Sequence, residues 1–139
     1  MLEFPYLQLP GGVTRPIIPV VLEGPTGRRL LDGLLDTGCD RTLFPRREAQ
    51  AVGLQLQSNP DGHMRTAGGV AIPYRLVDGV LELRASRLVV RWQTSIAFAD
   101  HPLQIIHLGV RGFLEHFHGS FLGPEKRVVL VPQSSLPHA

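Results

Sequence analysis

Cysteine, lysine and tryptophan each occur once in this 139-residue chain, as Cys39, Lys126 and Trp92. A lone cysteine excludes an internal disulfide and a cysteine-rich zinc site. No apolar run approaches the roughly 18 residues that a membrane-crossing helix requires. The opening "MLEFPYLQLPGG" has neither a basic segment nor a long apolar stretch, so no signal peptide is expected. These absences point to a soluble, cytoplasmic protein with no membrane partner. The formal charge is only +2 and is scattered along the chain, which argues against nucleic acid as a partner. Thirteen of the fourteen basic residues are arginine, a bias read as codon usage before any phosphate-binding role. The pairs Arg28–Arg29 and Arg46–Arg47 read as solvated surface.

Chain breakers are what the sequence has in quantity. Fifteen glycines and twelve prolines cut it into short pieces, while 43% apolar and 19% charged residues describe an ordinary globular chain. The length suits one domain over residues 1–139, with a core spanning about residues 14–131. Strands are expected in "FPYLQL", "RPIIPVVLEG" and "RRLLDGLL", the last two joined at Gly24-Pro25-Thr26-Gly27. "PRREAQAVGL" predicts a short helix opened by Pro45 and closed by Gly53. "HMRTAGGVAIPYRLV" predicts two extended arms around Gly68-Gly69. Further strands are expected in "GVLELR", "RLVVRWQTSIAFA" and "PLQIIHLG", a second short helix in "RGFLEHF", and a closing hairpin turning at Gly123-Pro124. Trp92 is expected in core or interface packing. The fold class is therefore all-β.

One stretch breaks the pattern. "GLLDTGCDRTLFP", residues 33–45, opens as a buried strand and then sets Asp36 where the run should be most apolar. A buried acid is costly unless paired or hydrogen-bonded. Asp-Thr-Gly alone is a weak signal, but here an apolar strand precedes it, and Cys39, Asp40, Thr42, Leu43-Phe44 and a short helix follow. In that setting the segment resembles the active-site loop of the retropepsin-like aspartic proteases. "MRTAGGVAIPYRL" resembles the glycine-tipped flap of that family, "QIIHLGVRGFLEHF" its late apolar-apolar-Gly segment, and "KRVVLVP" its closing strand.

The resemblance implies a small closed acid-protease-type β-barrel with a flap hairpin and one or two short helices. It implies an aspartic endopeptidase that needs no cofactor and no metal, acting on an extended peptide. Asp36, Thr37 and Gly38 would be the catalytic triplet; Cys39, Asp40, Ala67, Gly68, Gly69 and Val70 would contact substrate. Leu43, Val70, Ile72 and Val110 would line apolar pockets. The family's Gly-Arg-Asp/Asn pattern is one residue longer here, as "LGVRGFL", which leaves open whether Gly109 or Arg111 takes the structural position. In retroviral relatives an arginine there pairs with the acid that corresponds to Asp40. Relatives carry Ser or Ala at Cys39, and a thiol is a weaker donor to the catalytic acids. A mildly acidic to neutral pH optimum is therefore expected.

The chemistry requires two carboxylates sharing one proton. Asp32 lies four residues before Asp36 on one strand, about 13 Å away at roughly 3.3 Å per residue, too far to share it. A second copy of the chain, bringing its own Asp36 to a twofold axis, is the expected partner. The alternative is a catalytically weak peptide-binding or dimerisation module of the same fold.

Overall fold

The computed structural model describes residues 1–137. Four strands precede the first long turn: β1 (Leu2–Pro5), β2 (Leu7–Gln8), β3 (Thr14–Arg15) and β4 (Ile17–Gly24). After it come β5 (Gly27–Leu35), β6 (Leu43–Pro45) and the helix α1 (Arg46–Ala51). The chain continues through β7 (Gly62–Arg65), β8 (Ala71–Ala85), β9 (Leu88–Ala99) and β10 (Ile106–Leu108). A single 3-10 turn, Leu114–His116, leads into β11 (Phe117–Leu122) and β12 (Arg127–Pro132).

The strands close on themselves. Hydrogen-bonded neighbours run β4-β5-β10-β6-β9-β8, and β8 pairs back to β4 through Val21↔Glu82, Leu22↔Leu81 and Glu23↔Val80. The result is a six-stranded β-barrel, which leaves no free edge along its wall. Strand β7 is an appendage, paired only to the outer part of β8. Inside, alternate residues of β4, β8 and β9 supply Ile18, Val20, Leu22, Leu81, Leu83, Trp92 and Ile96, all fully buried. The closing strand β12 lies between β1 and β11 in a separate three-stranded sheet. There Leu2 and Phe4 are buried, so the packed core begins well before residue 14.

Most of the turn chemistry lands where the sequence puts it. Gly24 pairs with Gly27 across the first hairpin, α1 starts directly after Pro45, and β11 and β12 are joined through residues 123–126. Three readings of strands and helices need correction. The arms "IPYRLV" and "GVLELR" are one 15-residue strand, because Asp78 and Gly79 stay in register with Ser95 and Thr94 of β9. The strand expected over "PLQIIHLG" shrinks to Ile106–Leu108. The second helix is only the 3-10 turn: Phe113 and Phe117 both pack on Trp92, with ring centroids 5.3 and 5.1 Å away, and Phe117 enters β11. Trp92 itself is core, donating its Nε1–H to the Gly112 carbonyl at 2.9 Å.

The arginine pairs are more than solvated surface. Arg28 reaches the buried Glu82 at 2.7 Å, Arg29 the buried Glu48 at 3.0 Å, and Arg46 meets Asp100 at 3.1 Å. Glu82 also accepts from Arg84 and faces Arg91. Burial alone would push the Glu82 carboxyl up; the Arg84 hydrogen bond and the charges of Arg28, Arg84 and Arg91 outweigh it and hold it below 4.5. Among the described residues no helix is long and apolar enough to cross a membrane.

Candidate active site

The Asp-Thr-Gly loop leaves β5 at its C-terminal end, and its backbone is laced to the segment that follows β10. Asp36 N–H donates to Leu108 O at 3.1 Å, Val110 N–H to Cys39 O at 2.9 Å, Arg111 N–H to Asp40 O at 2.9 Å, and Thr42 N–H to Arg111 O at 2.9 Å. Strand β10 itself runs parallel to β5, with Leu108 beside Leu35. The segment "LGVRGFL" thus continues the main-chain pairing with the loop. Gly109 takes the tight approach: a Cβ there would stand 2.3 Å from Arg41 O and 2.5 Å from Cys39 O, which no side chain tolerates. Arg111 binds Asp40 through its backbone, and among the described residues no Arg111–Asp40 side-chain pair forms.

Asp36 is half-buried, with its two oxygens held differently. Gly38 N–H donates to Oδ1 at 3.0 Å. His107 Nδ1, from β10, lies 3.0 Å from Oδ2. When the carboxylate is ionised it can only accept, and the imidazole then donates from Nδ1. Among the described residues Asp36 has no lysine or arginine partner. Thr37 and Gly38 are exposed at the loop tip. Cys39 is buried and donates to Arg41 O at 3.1 Å, so its thiol is turned away from the donor role toward Asp36 that its position suggests. Burial pushes the thiol up, the Arg41 bond offsets part of that, and the charges of Asp36 and Asp40 add to it. A nucleophilic cysteine needs the reverse.

These groups line a cavity of about 1080 Å³. Its walls include Asp36, Gly38, Cys39 and Asp40 from the loop and Ala67 from the β7–β8 hairpin, together with the apolar Leu43, Ile72 and Val110. The hairpin closes through Thr66 N–H to Val70 O and Gly69 N–H to Thr66 O, both 2.9 Å, with Gly69 at φ +82°, a turn geometry glycine allows. Gly68, Gly69 and Val70 are exposed at this turn. Thr37 is off the cavity wall.

Residues 18–111 match the family model described as aspartyl protease. The chain belongs to the retropepsin-like aspartyl protease family. A solved structure similar to it is that of the EIAV protease complexed with the inhibitor HBY-793. That match has a TM-score of 0.49 and 17% identity, over 74% of this chain and 88% of the viral one. No curated protein matches the chain.

Relative to the family motif, the candidate site contains groups that sequence reasoning passed over. His107 is foremost, with Arg41, His63, Met64, Arg65, Thr66, Tyr74 and Leu103 on the same wall. A signal for His107 was present: an imidazole interrupts the apolar run "QIIHLG" just as Asp36 interrupts "GLLDTG". Arg41 donates to the Tyr74 hydroxyl at 3.2 Å and lies over its ring, joining the loop to the hairpin strand β8.

Proposed function

We propose that this protein is an aspartic endopeptidase, active as a homodimer, that hydrolyses peptide bonds with a water activated between two Asp36 carboxylates. The observation that carries this reading is the setting of Asp36. It stands on a loop fixed by main-chain bonds, facing a large cavity beneath a hairpin, with no lysine or arginine paired to it among the described residues. One chain supplies one such carboxylate, and a second copy supplies the other most simply.

In this mechanism the pair shares one proton, because two adjacent like charges resist ionising together. The ionised member takes a proton from water while the other donates a hydrogen bond to the scissile carbonyl. The resulting hydroxyl adds to the carbonyl carbon; the tetrahedral intermediate then collapses as the amine leaves with a proton from the pair. No covalent enzyme intermediate forms. Gly38 N–H and His107 keep the carboxylate plane fixed from within each chain, and Thr37 at the exposed tip bonds across the axis. The β7–β8 hairpin acts as a flap, with its Gly68-Gly69 tip permitting it to open and then exclude water. The substrate lies extended along flap and loops, bonded through its backbone. Leu43, Ile72 and Val110 favour apolar side chains, and Arg41, Arg65 and Arg111 outnumber Asp36 and Asp40 on the wall, which favours acidic neighbours.

The test is cleavage of unfolded casein or a peptide library from acid to neutral pH, by wild type and by Asp36→Asn, with and without a statine-type transition-state analogue. Cleavage lost in the variant and blocked by the analogue is expected. Cleavage that survives Asp36→Asn, or a well-folded wild type with no cleavage at any pH, contradicts the proposal.

A further inference from the structure

We infer that Asp36, Cys39 and His107 form a zinc site, and that Zn²⁺ seated there stops hydrolysis by occupying the carboxylate that must activate water. The inhibition rests on the protease reading above; the metal binding does not. One carboxylate oxygen, one thiol sulfur and one imidazole nitrogen lie within 4.8 Å of one another, facing the cavity. They are the three donor types that Zn²⁺ takes from proteins. Two ligands held about 2.1 Å from a tetrahedral ion stand about 3.4 Å apart, close to the 3.0 Å between Asp36 Oδ2 and His107 Nδ1. Little movement is needed to admit an ion between them.

The backbone under the three donors is already fixed. Cys39 N–H donates to Asp36 O at 3.2 Å, and the bonds Asp36 N–H to Leu108 O and Val110 N–H to Cys39 O tie the loop to the chain just after His107. Such prior order lowers the entropy lost on binding. The sulfur has only weak attachments to give up, the Arg41 carbonyl at 3.1 Å and Met64 Sδ at 3.7 Å. On binding, the thiol proton leaves to solvent, and the imidazole proton moves from Nδ1 to Nε2, so Nδ1 offers its lone pair. Asp40 adds negative charge nearby, while Arg41 and Arg111 on the same wall oppose it. The open side faces the cavity, which leaves room for a water as fourth ligand.

The test titrates metal-stripped full-length protein with Co²⁺, then with Zn²⁺. One Co²⁺ per chain should give a thiolate-to-cobalt band in the near ultraviolet and the visible bands of a four-coordinate ion, both erased by Zn²⁺. Cys39→Ser should abolish the near-ultraviolet band, and His107→Asn should weaken binding at least about tenfold. Circular dichroism checks that each variant folds, with Cys39→Ala in reserve. Absence of the band, or Zn²⁺ affinity unchanged in both variants, overturns the site. For wild type, Zn²⁺ should stop casein cleavage and a chelator restore it. The inhibiting Zn²⁺ concentration should rise at least about tenfold in Cys39→Ser, relative to its own uninhibited rate. Cleavage that Zn²⁺ leaves untouched or accelerates overturns the inhibition. A cobalt site in a protein that cleaves nothing sinks the protease reading and leaves the zinc site standing.

Discussion

Two carboxylates of the same barrel sit in opposite surroundings. Glu82, on the wall where β8 meets β4 and β9, is 2% exposed and surrounded by Arg28, Arg84 and Arg91. Asp36, just past the end of β5, is half-buried, and among the described residues its carboxylate meets a backbone N–H and an imidazole. Three permanent cations commit Glu82 to its charge; it holds strands together and can do little else. Among the described residues Asp36 has no lysine or arginine partner.

The comparison breaks first at Asp36. Asp36→Asn should cut peptide cleavage by about 10²- to 10⁴-fold, as loss of a general base does, while the thermal midpoint hardly moves. A large loss of stability would make Asp36 a structural acid like Glu82. Gly109→Ala probes the scaffold under the site: its Cβ would collide with two carbonyl oxygens. Urea unfolding should show a loss of about 3 kcal/mol, with activity lost alongside.

Glu82→Gln should do the reverse of Asp36→Asn. A carboxyl held below its ordinary 4.5 adds stability above that value and loses it as pH falls through the lowered one. The variant should therefore cost about 1–2 kcal/mol at neutral pH, modest because the arginines are partly in solvent, and the gap to wild type should close in acid. Cleavage per folded molecule should stay the same. The smallest effect is expected at Thr42, whose hydroxyl is buried with no partner among the described residues. Thr42→Val should raise stability by about 1 kcal/mol, and a loss of that size would mean the hydroxyl is satisfied.

How much of this was legible in the sequence follows the same divide. The barrel was readable because Gly and Pro punctuate short apolar strands, and Asp36 because an acid ends an apolar run. The Glu82 cluster was not, because Arg28, Arg84 and Arg91 lie on three strands and only register brings them together. His107 escaped for a related reason: the parallel pairing of β5 and β10 spans 71 positions to reach Asp36. Gly109 and Arg111 looked like competitors because a linear motif cannot show that an added residue continues a backbone ladder.

The most direct measurement mixes a fixed amount of wild type with rising amounts of Asp36→Asn protein, lets subunits exchange, and follows cleavage. If each chain brings half of the acid pair, activity per wild-type chain falls in proportion to the wild-type fraction, because every mixed dimer is dead. Activity that tracks wild-type content alone, indifferent to the added variant, would contradict a catalytic pair built from two copies of Asp36.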